Sequence, residues 1–157
     1  MLFASRKPAP SGPVSFLIAG LGNPGSRYEN TRHNAGFLAI DRIAAKAGVS
    51  IDRLKFKGLT AQAEVGGQRV LLLKPSTFMN LSGQSVREAM TFYKLPPERC
   101  LILFDDISLE PGRLRIRAKG SDGGHNGMKN IIYLSGHDTF PRVRLGVGKK
   151  PNPQWDL

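Results

Sequence analysis

The stretch Phe16-Leu17-Ile18-Ala19-Gly20-Leu21-Gly22-Asn23-Pro24-Gly25-Ser26-Arg27-Tyr28-Glu29-Asn30-Thr31-Arg32-His33-Asn34-Ala35-Gly36 decides how the rest of this 157-residue chain is read. Its first four residues form an unbroken apolar run, the pattern of a central strand covered on both faces. Beyond it, Phe37, Ile40, Ala44 and Ala47 recur at helical spacing, and Gly48 is placed to stop that helix. A strand thus feeds a helix through a loop of glycines, side-chain amides, a tyrosine and a histidine. Such junctions are where α/β proteins place ligands and chemistry.

Gly20-Leu21-Gly22-Asn23-Pro24-Gly25 also matches G-x-G-x-x-G, which invites a dinucleotide-binding reading. That fingerprint needs a helix opening at the third glycine and an acid ending the next parallel strand. Here the helical pattern begins only after Asn34, and the next apolar segments, Leu59–Val65 and Arg69–Leu73, flank Gly66-Gly67 as a hairpin. The loop is therefore read as a tight turn that presents side chains.

Working outward, a second helix is expected from Ser82, with Val86, Met90 and Tyr93 on one face and Pro96-Pro97 after it. Cys100–Phe104 reads as a second buried strand ending at Asp105-Asp106. Arg113–Lys119 alternates strictly, Gly120–Gly127 is a glycine-rich loop, a short helix runs to Leu134, and Val143–Gly148 forms a last strand. This order predicts an α/β fold: a single domain, with a mixed twisted β-sheet flanked by helices. By composition, residues 1–15 form a flexible basic leader, 16–148 the domain and 149–157 a C-terminal tail.

Twenty-three Lys and Arg face twelve Asp and Glu, a net charge of +11, which points to a polyanionic partner. The single cysteine, Cys100, sits in an apolar run and reads as a buried strand thiol. No apolar run approaches the roughly 18 residues a membrane span needs.

His33 stands just before a helix start, and Asp105 ends a core strand. Loops at the carboxyl ends of such strands share one crevice, so the two can meet there as a water-activating pair. Taken singly, the same residues also fit a capping histidine and a turn aspartate. No serine elbow is present, and His33, His125 and His137 lack metal-ligand spacing. Asn23, Asn34, Asn80 and Asn126 recur in loops or at helix starts. Each fits a turn or cap, while together they suit recognition of carbonyls and hydroxyls, including an ester carbonyl in reaction. Arg113-Leu114-Arg115-Ile116-Arg117-Ala118-Lys119 puts four cations on one strand face and apolar residues on the other, and Arg142-Val143-Arg144-Leu145 repeats the scheme. Phosphate binding explains that face, and a solvated outer strand is the alternative.

Side by side, these pieces resemble the bacterial-type peptidyl-tRNA hydrolase family from about Phe16 to Gly148. Four motifs carry the resemblance in order: Gly22-Asn23-Pro24-Gly25, Thr31-Arg32-His33-Asn34-Ala35-Gly36, Thr77-Phe78-Met79-Asn80-Leu81-Ser82-Gly83 and Gly123-Gly124-His125-Asn126-Gly127. The resemblance implies a monomeric cytoplasmic esterase, without metal or cofactor and with no membrane partner. It would cleave the ester joining peptide to tRNA. It further implies His33 as general base, Asp105 as the carboxylate orienting it, and Asn23 and Asn80 as donors to the charged intermediate. Asn23, Asn80, His125 and Asn126 would meet the peptide and the acceptor end, Met79 would wall the cleft, and Tyr28 would lie near the tRNA end. Arg117 and Arg144 would hold the 5′-phosphate. Phe104 and Ser108 depart from the family pattern. The chain also closes where members usually continue into a lid and a C-terminal helix. A non-catalytic RNA-binding relative of the family, as among plant organelle splicing factors, is the alternative reading.

Overall fold

A computed structural model of the protein describes residues 12–25 and 31–149. The expected leader up to residue 11, Tyr28 and the tail from residue 150 lie outside the described residues. In chain order the elements are β1 (Phe16–Gly20), α1 (Ala35–Ala47), β2 (Arg53–Lys55), β3 (Gly58–Val65), β4 (Gln68–Pro75), α2 (Ser82–Tyr93), β5 (Cys100–Asp106), β6 (Leu114–Arg117), α3 (Asn126–Ser135) and β7 (Arg142–Gly146). They form one seven-stranded mixed sheet in the order β2-β3-β4-β1-β5-β7-β6. Strands β4, β1, β5 and β7 run parallel to one another, whereas β2, β3 and β6 close the two sides as antiparallel additions.

The strand period of two divides the core between the two faces. Leu17, Ala19, Leu71, Leu73, Ile102 and Phe104 pack with Val86 and Ala89 of α2 and with Met128 and Ile131 of α3. Ile18, Val70, Leu72 and Leu103 pack with Ile40 and Ala44 of α1. The unbroken apolarity of β1 and β5 thus reflects burial on both sides. α1 ends where Gly48 turns to φ 75° and its N–H reaches Ala44 O and Ala45 O.

The structure adds to or corrects the sequence reading at three places. The short strand β2 carries no apolar pattern, with all three residues exposed, and forms by pairing with β3. Val14 and Ser15, read as leader by composition, belong to the domain: Val14 is buried, and Ser15 N–H donates to Arg69 O at 2.9 Å. The alternation of β6 does not bury an apolar face, for Leu114 and Ile116 are 62% and 66% exposed. β6 is an edge strand on β7, and α1, which packs on β1, β3, β4 and β5, does not extend over it.

Candidate active site

The four parallel strands end on one edge of the sheet, and the chemistry-bearing loops open there. Beyond β1, Leu21 N–H donates to Leu103 O at 2.9 Å, which carries the β1–β5 seam one residue further. The first turn of α1 rests on that seam through Gly36. A Cβ there would lie 2.4 Å from Leu21 O and 2.5 Å from Leu103 O, so only glycine allows the approach. That contact sets His33, in the 3-10 turn Arg32–Asn34, beside Asp105 near the end of β5.

His33 Nδ1 lies 2.8 Å from Asp105 Oδ2, and His125 Nε2 lies 2.8 Å from Asp105 Oδ1. The sequence reading joined His33 to Asp105 and did not place His125 on the same carboxylate. Met128 N–H donates to His125 Nδ1 at 3.2 Å, capping α3, so the proton of His125 sits on Nε2 and is donated to Asp105. His33 donates its Nδ1 proton to the other carboxylate oxygen, which leaves Nε2 as its free acceptor. Burial alone would raise the Asp105 carboxyl. The hydrogen bonds donated by His125 and His33 outweigh it and hold the group at about 2. The ligand-type atoms of His33, Asp105 and His125 lie within 4.8 Å of one another. A cation among them would have to displace the His125 Nε2 proton and compete with two hydrogen bonds already made.

The amides divide into those that are held and those that are free. Asn34, only 4% exposed, grips the backbone of Asn23: its Oδ1 accepts from Asn23 N–H at 2.7 Å and its Nδ2 donates to Asn23 O at 2.9 Å. Asn23 Oδ1 in turn accepts from Met79 N–H at 2.7 Å, which leaves the two Nδ2 protons to be directed elsewhere. Phe78, just before, adopts φ 62° and ψ 158°, a region costly for a side chain larger than glycine, and this kind of strain collects at functional sites. Asn80 and Asn126 are exposed, with no side-chain hydrogen bond among the described residues. Met79 is buried, and its sulfur and the His125 ring both line the space beside Gly127. A cavity of about 260 Å³ adjoins Asn23 and Asn34 and is otherwise lined chiefly by Phe37, Leu38, Asp41 and Lys74.

The cationic residues lie at the β7–β6 end of the sheet. Arg115 pairs in register with Arg144 and Arg117 with Arg142, so like charges face each other directly across two strands. Arg117 is exposed. Arg144 is drawn inward: its side chain is 18% exposed, 3.6 Å from Asp106 Oδ2, over the Phe104 ring and beneath Gly123. A Cβ on Gly123, which sits at φ 61°, would meet the Arg144 guanidinium at 2.2 Å. Arg142 is buried and donates to Phe140 O, Ser121 O and Asp138 O, which ties the glycine-rich loop to β7. Burial, with the charge of Arg144, pushes the Arg142 guanidinium below its usual range. Ser108 braces the loop after β5, donating N–H and O–H to Asp106 Oδ1 at 2.8 and 2.6 Å.

The structure therefore brings His33, Asp105, His125, Met79 and Asn23 into one constellation, with Asn80 and Asn126 next in sequence to members of it. Arg117 and Arg144 stand apart on the neighbouring strands. Asn34, which sequence reasoning read as a cap or as one of four recognition amides, instead clamps the backbone of Asn23. Its signal was its place beside His33, but a cap and a clamp look alike until Asn23 is seen opposite.

A histidine held by a buried carboxylate, at the carboxyl edge of a largely parallel sheet and ringed by amides, defines an α/β domain with hydrolase-type equipment. The sequence pattern of the peptidyl-tRNA hydrolase family matches residues 17–157. A peptidyl-tRNA hydrolase of Caldanaerobacter subterraneus subsp. tengcongensis is 55% identical over 134 residues, covering 85% of this chain and 72% of that protein. One from a Thermoanaerobacter species is 53% identical over 142 residues, covering 90% and 76%. The crystal structure of peptidyl-tRNA hydrolase from Acinetobacter baumannii superposes with a TM-score of 0.83 at 40% identity, over 92% of this chain and 74% of that one. The chain belongs to the peptidyl-tRNA hydrolase family.

Proposed function

We propose that this protein hydrolyses the ester between the peptide and the terminal ribose of peptidyl-tRNA, returning tRNA to translation. The observation that carries the reading is the 2.8 Å contact of His33 Nδ1 with the buried Asp105, set in a chain about half identical to enzymes of that name. Asp105 fixes the His33 tautomer with Nε2 free, and Nε2 takes a proton from water as the water oxygen attacks the ester carbonyl. Asn23, its oxygen held by Met79 N–H, turns Nδ2 donors to the developing oxyanion, joined by Asn80. Collapse of the intermediate breaks the bond to the ribose oxygen, which receives the proton from His33. The products are a free peptide carboxylate and tRNA.

Met79 and Asn126 line the approach of peptide and acceptor end, the family motif gives Tyr28 a role toward the tRNA, and His125 stands behind Asp105. Arg117, with Arg144, meets the 5′-phosphate, and the inward pull of Asp106 on Arg144 makes Arg117 the more accessible of the two. The protein acts as a monomer in the cytoplasm; no helix among the described residues is long and apolar enough to cross a membrane. A non-catalytic RNA-binding role is not favoured, because His33, Asp105, Asn23 and Asn80 are all present.

The deciding experiment compares N-blocked with unblocked aminoacyl-tRNA in a hydrolysis assay containing EDTA. Cleavage of the blocked substrate alone is expected; cleavage of neither sinks the proposal. His33→Ala should lower kcat by about 10² to 10⁴-fold while tRNA affinity stays near wild type. Near-normal turnover in that variant removes His33 as the base.

A further inference from the structure

We propose that His125 is a positioning residue that fixes the plane of the Asp105 carboxylate, and through it the ring of His33. This extends the hydrolase reading above and gives His125 a task other than contact with peptide or acceptor end. A carboxylate held at one oxygen keeps a soft, roughly two-fold torsion about its Cβ–Cγ bond. With donors on both oxygens, His33 Nδ1–H on Oδ2 and His125 Nε2–H on Oδ1, that rotation is closed off. His125 is itself immobilised. It is only 9% exposed, its ring packs 4.6 Å from the Phe104 ring, and its Nδ1 accepts from Met128 N–H in the first turn of α3. Both ring nitrogens are therefore engaged inside the protein, and the ring has no polar atom left for substrate. Orientation passes from α3 to His125, to Asp105 and then to His33, each step a single hydrogen bond. Displacing a reacting group by about 1 Å can cost on the order of 10²-fold in rate.

The two jobs of His125 separate by side-chain length. In His125→Asn the amide reaches only as far as Nδ1, so it can cap α3 but cannot reach Asp105. In His125→Gln the amide reaches as far as Nε2, so it can donate to Asp105 but is badly placed to cap. With N-blocked aminoacyl-tRNA, His125→Asn should stay folded but melt lower, having lost the Asp105 bond and the Phe104 contact, and should keep a KM within about threefold with kcat lowered by about 10- to 100-fold. His125→Gln should turn over faster than His125→Asn.

Wild-type kcat in His125→Asn, or a folded His125→Gln no faster than His125→Asn, overturns the assignment. So does a raised KM with kcat preserved in both, which marks a substrate contact. A wild-type protein inactive on blocked aminoacyl-tRNA ends the hydrolase reading alone. In that case the ¹⁵N imidazole spectrum decides the positioning claim: a proton on Nε2 with Nδ1 accepting is expected, and a proton on Nδ1 refutes it.

Discussion

Asp105 shows how one side chain can hold opposing forces. Burial works against its charge, and two imidazole N–H donors more than offset that, so the carboxyl sits at about 2 rather than at its ordinary 3.8. A depressed value means the ionised group stabilises the folded state above the unfolded value, and this contribution is lost as pH falls from about 4 toward 2. It is worth about 2 kcal/mol at neutral pH. Asp105→Asn should therefore destabilise the protein at pH 7, and the gap from wild type should narrow near pH 2, as denaturant titrations at the two pH values will measure. Asn34 poses a different residue-scale question, since its two bonds to the Asn23 backbone leave no slack. Asn34→Ala is expected to cost about 1–3 kcal/mol and to lower kcat by loosening Asn23, whereas unchanged kinetics would detach Asn34 from the site. Cys100 is the quiet case. Burial, with a smaller effect from the charge of Glu98, pushes its thiol up to about 12, so alkylation should proceed only as the protein unfolds.

At the scale of elements, the close seating of α1 on the β1–β5 seam is what converts two distant sequence positions into a pair. His33 and Asp105 stand 72 residues apart, and their 2.8 Å contact depends on how deeply the helix sits. Gly36→Ala should force α1 outward, costing about 1–3 kcal/mol by the overpacking rule and lowering kcat as His33 leaves Asp105. A variant with wild-type melting temperature and rate would show that the seam can yield. The same scale explains why the alternating strand stays open. Strict alternation along Arg113–Lys119 is the signature of a half-buried strand, yet β6 pairs only with β7 at the edge of the sheet, and Leu114 and Ile116 on its apolar face are exposed. Periodicity reports that a segment is a strand; what covers its apolar face is settled by distant elements.

Across the whole molecule, the sheet order sets the parts in a line. Arginines lie at β6 and β7, the histidine–aspartate cluster lies at β5 and β1, and the cavity beside Asn23 lies toward β4 and β3. A substrate that is polyanionic at one end and peptidyl at the other fits this polarity, and the net charge of +11 adds long-range attraction. Arg117→Ala should weaken tRNA binding chiefly at low salt and reduce the slope of log K against log salt by about 1. Equal slopes for variant and wild type would remove Arg117 from phosphate contact.

Much of this was legible in the residues themselves. Buried strands, helix stops and the Gly66-Gly67 hairpin follow from local periodicity and backbone preference, and those act over a few residues. The ordered motifs around Asn23, His33, Asn80 and His125 identified the family for the same reason, being short and dense. Tertiary structure alone decided that one carboxylate serves two histidines, that Asn34 clamps Asn23, and that Arg144 turns inward to Asp106. Those are contacts between residues from 11 to 72 positions apart, and they depend on how helices seat on the sheet. The stretch from Phe16 to Gly36 announced a loop for chemistry; the packing of Gly36 against Leu21 and Leu103 determined which atoms it would face.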